Sequence, residues 1–166
     1  MLPLPLLFPA ADAVAWLQWG GPTRNFQYPS TEIAAWKESG PRRLWSRQLG
    51  DGYSSVLTDG TTRYFVHKNG NSNVFSALQA ANGRTIWERA FEETHNDAEK
   101  KEMDPAHGTA PSSTPVLVGD RLFAVTFLGR LVALNRLTGA TLWSEDLRRK
   151  HGGTVVGYGY TNSPLA

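Results

Sequence analysis

From Leu44 onward the chain alternates between short apolar-rich runs and glycine-containing turns. "RRLWSRQL" stops at Gly50, "YSSVLT" at Asp59-Gly60, "RYFVHK" at Asn69-Gly70 and "NVFSALQA" at Asn82-Gly83, and "TIWERAF" completes the set. A second set follows the same plan. "SSTPVLV" turns at Gly119-Asp120, "RLFAVTF" near Gly129 and "RLVALNRL" at Thr138-Gly139, and "TLWSEDL" closes it. A third set opens with "GYTNSPLA". Runs of this length bounded by Asp-Gly and Asn-Gly predict antiparallel strands joined in hairpins, because tight primed turns need positive φ.

One eleven-residue pattern occurs twice. Ala77–Trp87 reads "ALQAANGRTIW" and Ala133–Trp143 reads "ALNRLTGATLW". Each is read as the third strand of a four-stranded unit, a tight turn and the start of the fourth strand. The alanine must be small because another layer presses on it, the glycine accepts the turn, and the tryptophan fills the gap between neighbouring units. Trp45 holds the equivalent place before the first full unit. Trp45, Ala77, Gly83, Trp87, Ala133, Gly139 and Trp143 are therefore the expected docking residues. Ser55-Val56-Leu57, Thr114-Pro115-Val116 and Ser163-Pro164-Leu165 open the first strand of each unit.

Four strands per unit, repeated along the chain, predict an all-β fold of β-propeller blades. The units span about 53–91 and 112–147, with 92–111 a polar insertion and a third unit starting near 157. Residues 16–43 form an N-terminal extension, with one or two helical turns expected over Thr31–Glu38 before Gly40-Pro41 ends them.

The repeated pattern, with Ala first, Asn-Gly or Thr-Gly in the middle and Trp last, resembles the tryptophan-docking motif of pyrroloquinoline quinone (PQQ) repeat propellers. "LQWGGPTRNF", "GYSSV", "SSTPVLVGDRLFAV" and "GYTNSPL" are similar to the start and the blade openings of that family, and the likeness runs from about Trp16 to Ala166. The resemblance implies a ring of seven or eight blades. This chain accounts for about two full blades and parts of two more, so the ring is incomplete and the chain is expected to be a fragment or a truncated product. In relatives that bind the quinone, the resemblance places it at the ring axis with calcium and a catalytic Asp, and none of those residues is matched here. The expected role is a non-catalytic binding or scaffold module. The alternatives are the N-terminal part of a PQQ-dependent alcohol or sugar dehydrogenase, with PQQ and calcium, and an assembly factor for envelope proteins.

Charge and composition narrow this further. A net charge of +2 gives no footprint for nucleic acid. The basic run Arg148–His151 reads as a solvated loop. There is no cysteine, which excludes disulfides, thiol catalysis and a lipid-modified cysteine. "MLPLPLLFPAADAVA" resembles the end of a secretory signal peptide cut after Ala15, and predicts a periplasmic or secreted protein. Its apolar stretch is too short to span a bilayer. The insertion carries His95, Asp97, Asp104 and His107 in a spacing that fits no standard metal site, so it reads as a solvated loop. Tyr158 and Tyr160 are expected near the axial surface, where a ligand could touch them. No catalytic, cofactor-binding or metal residue is assigned.

Overall fold

The computed structural model describes residues 15–28 and 37–166. The stretch expected to be a signal peptide, up to Val14, and most of the Thr31–Glu38 segment lie outside the described residues. The rest forms two four-stranded antiparallel sheets. The first is β1 (Leu57–Thr58), β2 (Thr62–Asn69), β3 (Ser72–Gln79) and β4 (Thr85–Glu92), hydrogen-bonded in chain order. The second is β5 (Val116–Val118), β6 (Arg121–Val125), β7 (Arg130–Asn135) and β8 (Thr141–Asp146), in the same order. The all-β expectation and the four-strand unit hold.

Residues on the second and third strands explain the layering. β2 and β3 are buried on both faces, so they read as nearly continuous apolar runs rather than strict alternation. Tyr64, Val66, Phe75, Ala77 and Trp87 pack against Leu117, Leu122, Ala124, Val132 and Leu134 of the second sheet. Each large side chain in this contact contributes roughly 1.5–3 kcal/mol of burial. The fourth strands are outermost, and on β4 only Trp87 is buried.

The eleven-residue repeat is also a structural repeat. The β3–β4 register shifts between Ala77 and Leu78, and the β7–β8 register shifts between Ala133 and Leu134. Both turns close alike. Gln79 and Asn135 donate their N–H to Arg84 and Ala140, and Gly83 and Gly139 donate theirs to Gln79 and Asn135, all at 2.8–2.9 Å.

Several expectations are corrected. "RRLWSRQL" forms no strand, and "YSSVLT" pairs only at Leu57–Thr58. The opening "GYTNSPLA" forms no strand either. In place of a ladder, Tyr53 N donates to Pro111 O at 2.9 Å and Tyr160 N to Phe127 O at 3.0 Å. Two short helices replace expected loop. α1 (Asp97–Glu102) sits in the insertion, held by a capping box between Asn96 and Glu99. α2 (Leu147–His151) occupies the basic run. The Asp146 carboxylate accepts from Arg148 N and Arg149 N, and Gly152 ends the helix in the left-handed conformation. The N-terminal extension crosses both sheets. Trp16 and Thr58 exchange N–H···O bonds, and Leu17 O accepts from Leu117 N at 2.8 Å.

Candidate functional site

Of the expected docking residues, Trp45 meets the first sheet's β3–β4 turn and Trp87 the second sheet's β7–β8 turn. Trp45 Nε1 donates to Ala80 O at 2.8 Å, and its indole covers Gly83. Trp87 Nε1 donates to Arg136 O at 2.8 Å, and its indole covers Gly139. Ala80 and Arg136 stand three places after Ala77 and Ala133, so the two contacts are the same contact made twice. Within each sheet Ala77 pairs with Trp87 and Ala133 with Trp143, and both alanines are fully buried. Trp143 differs. It rests against Phe123 at 6.1 Å, is 42% exposed, and has no glycine turn against it among the described residues.

A cation two places after the tryptophan completes each contact. Arg47 donates to Thr85 Oγ1 at 2.6 Å and to Gly83 O at 3.5 Å, and Arg89 Nε donates to Gly139 O at 2.9 Å. These arginines were not singled out from the sequence. Their signal was present as Trp-Ser-Arg and Trp-Glu-Arg. At the corresponding place in the second sheet stands Glu145, which pairs with Lys150 at 2.6 Å and His151 at 3.5 Å of α2 instead.

At the other edge, the segments that open the units lie close enough to bond directly. Ser55 N donates to Thr114 Oγ1 at 2.9 Å, and Thr114 N donates to Ser163 Oγ at 3.0 Å. The three openings seen in the sequence thus form a ladder of amide-to-hydroxyl bonds from unit to unit. An indole separates the sheets on the fourth-strand side, while direct hydrogen bonds, Ser55 N to Thr114 Oγ1 and Tyr53 N to Pro111 O, join the units on the first-strand side. That is the geometry of a wedge, narrow edge inward.

The segments leading into the three openings converge on one cleft. Gly50–Tyr53 and Pro105–Gly108 line a cavity of about 580 Å³. Beside it, the Tyr53 ring stacks on His107 at 4.2 Å with 14° between planes, and Tyr158 meets His107 edge-on at 5.1 Å. His107 Nε2 is 3.0 Å from Ser112 Oγ. Asp104 Oδ1 accepts from Ala106 N and His107 N, and Oδ2 accepts from Tyr158 OH at 3.3 Å. The amides of His107 and Ala106 hold the Asp104 carboxyl below its ordinary range. Tyr160 packs elsewhere, on Gly129 beyond β6, with its N–H on Phe127 O at 3.0 Å. His95 lies against Phe127, and burial followed by Lys68 holds its imidazole below the usual range. Asp97 is on α1. Among the described residues no three metal-ligating side chains share a point.

Glu93, read as part of the polar insertion, is instead a buried tie between sheets. It is 5% exposed. Its carboxylate accepts from Asn73 Nδ2 at 2.7 Å on the first sheet, and from Thr126 Oγ1 and Leu128 N, at 3.1 Å, on the second. Burial pushes this carboxyl above its ordinary range, against the pull of those donors.

Among the described residues no helix is long and apolar enough to cross a membrane. The chain is 26% identical over 118 residues to a quinoprotein ethanol dehydrogenase of Pseudomonas putida, covering 71% of this chain and 16% of that protein. It is 35% identical over 78 residues to the outer membrane protein assembly factor BamB of Xanthomonas campestris pv. campestris, covering 47% of this chain and 17% of the relative. It thus spans about a sixth of the length of these curated relatives. Among solved structures it is similar to BamB from Moraxella catarrhalis (18% identity, TM-score 0.43, 61% of this chain and 26% of that one). It is also similar to a europium-containing methanol dehydrogenase (22% identity, TM-score 0.45, 63% and 18%). A family model described as outer membrane protein assembly factor BamB matches residues 24–161, and with the two repeated sheets this makes the chain a member of that PQQ-repeat family.

Proposed function

We propose that this chain is part of an exported PQQ-repeat propeller and serves there as a non-catalytic module that binds a protein at its first-strand end. The chemistry of the cleft carries this reading. Three connections, distant in sequence, bring Tyr53, His107 and Tyr158 together, and two half-exposed tyrosine rings face outward. Exposed aromatic rings on a supported frame are the anchors protein interfaces use. The same cleft does not fit PQQ. That cofactor is a polycarboxylate, and the lining carries Asp51 with no Lys or Arg to neutralise it. A protein partner also accords with a family named for an assembly factor.

A photo-crosslinking side chain at position 53, in cells of an envelope-bearing bacterium, is expected to trap a discrete protein partner, while one at exposed Leu137 traps none. The exported protein is expected to begin at Trp16. A second reading, the N-terminal part of a PQQ-dependent dehydrogenase, draws on the likeness to the ethanol dehydrogenase. Dye reduction by the purified chain with PQQ, calcium and an alcohol would favour it and overturn the non-catalytic reading.

A further inference from the structure

We propose that the cleft between Gly50–Tyr53 and Pro105–Gly108 receives an arginine side chain of the protein partner. This rests on the binding-module reading and names what the module recognises.

The strip Gly50–Tyr53 has two sides. A Cβ on Gly50 would fall 1.6 Å from Lys68 O, and one on Gly52 would fall 3.0 Å from Val66 O, so both glycines press on β2. Lys68 N fixes the strip by donating to Asp51 O at 2.7 Å. The alternate residues, Asp51 and Tyr53, line the cleft. The strip therefore presents a carboxylate and a phenol ring side by side.

Each is unoccupied in the way a guest needs. Tyr53 is 57% exposed although one ring face lies on His107, so its other face is open. Asp51 is exposed, and among the described residues its carboxylate makes no ion pair. Asp104, by contrast, is already engaged by two amides and Tyr158. Lys68, on the neighbouring strand, is partly buried, and among the described residues it forms no ion pair with Asp51. On the opposite wall Gly108 has no atom within 4 Å of where a Cβ would sit, which leaves room for a long side chain.

A ring face beside a carboxylate suits a planar cation. Guanidinium stacks on an aromatic ring and forks onto a carboxylate at the same time, whereas ammonium is a hydrated point charge that does only the second well. Behind Tyr53, His107 already contacts Ser112 Oγ and the Tyr158 ring, so the stacking platform exists before a guest arrives.

The test titrates the full chain with capped tripeptides, acetyl-Gly-X-Gly-amide, by NMR. The arginine peptide is expected to shift Tyr53 and His107 resonances with a dissociation constant in the millimolar range, with the lysine peptide at least threefold weaker and the citrulline peptide not binding. Asp51→Asn and Tyr53→Leu are each expected to weaken binding at least fivefold, and Asp120→Asn, on the distant β5–β6 turn, to leave it unchanged. Asp51 is exposed, so Asp51→Asn keeps the test open even where Tyr53→Leu disturbs folding. Equal binding of citrulline, or no effect of Asp51→Asn, overturns the proposal. A neutral peptide that binds the cleft as tightly also overturns it but leaves the binding-module reading standing, and that reading fails separately on dye reduction.

Discussion

The indole of Trp87 covers Gly139 so closely that a Cβ on the glycine would lie 2.6 Å from two ring carbons. Gly139 also has φ +68°. Sequence, turn and inter-sheet packing meet at this contact. Gly139→Ala is expected to cost about 2–4 kcal/mol, from the left-handed backbone and the overpacked ring together. Gly119 has φ +57° but open space around its Cβ position, so Gly119→Ala is expected to cost only about 1 kcal/mol. Urea unfolding of the two variants measures the difference, and equal costs would remove packing from the account.

The two tryptophans of the repeat are not equivalent in energy. Trp87 is buried and bonded to Arg136 O, so Trp87→Ala is expected to cost about 3–5 kcal/mol. Trp143 is 42% exposed, and Trp143→Ala is expected to cost about 1–2 kcal/mol. The same urea series compares them, and a Trp143 cost as large as that of Trp87 would show its ring is covered.

Glu93 gives a pH signature. Its carboxyl is raised in the folded chain, chiefly by burial. A group raised in this way contributes stability that is fully present below its unfolded value and is lost as pH rises through the folded value. Glu93→Gln removes that titration. The stability of the unsubstituted protein relative to Glu93→Gln is therefore expected to be level below about pH 4.5, the ordinary carboxyl value, and to fall above it. Asp59, Glu99, Asp104, Glu145 and Asp146 are all lowered and slope the other way, so only the difference between the two proteins isolates Glu93. A difference independent of pH from 4 to 8 would rule the raised carboxyl out. Glu93→Leu leaves Asn73, Thr126 and Leu128 donors buried without an acceptor, and is expected to cost about 2–4 kcal/mol in urea unfolding near pH 7.

The β3–β4 and β7–β8 hairpins were legible because an eleven-residue repeat makes turn chemistry and anchor position agree. The first strands were not. Only Leu57–Thr58 and Val116–Val118 join ladders, since the residues before them turn their amides to hydroxyls of the next unit, so the openings recur in the sequence at Ser55, Thr114 and Ser163 without forming full strands. α2 was overlooked although Asp146 and Gly152 are ordinary cap residues, because four basic residues read first as solvated. Glu93 and the Tyr53–His107 stack depend on residues 20 to 54 positions apart meeting in space, and nothing local announces them.

Arg89 offers the last measurement. Its Nε donates to Gly139 O while Trp87, two residues earlier on β4, donates to Arg136 O, so one strand grips one turn twice. Arg89→Ala is expected to cost about 1–2 kcal/mol, through the hydrogen bond and the packed stem. Trp87→Phe keeps a ring over Gly139 but deletes the indole donor. Because both changes loosen the same turn, their double-mutant cycle is expected to show a coupling of about 0.5–1.5 kcal/mol. Glu145 holds the matching place on β8 but faces Lys150 and His151, and Glu145→Ala is expected to change stability by no more than about 0.5 kcal/mol. Additive effects at Trp87 and Arg89 would mean that the two donors hold the turn independently, and the repeated tryptophan and arginine would then be two features rather than one.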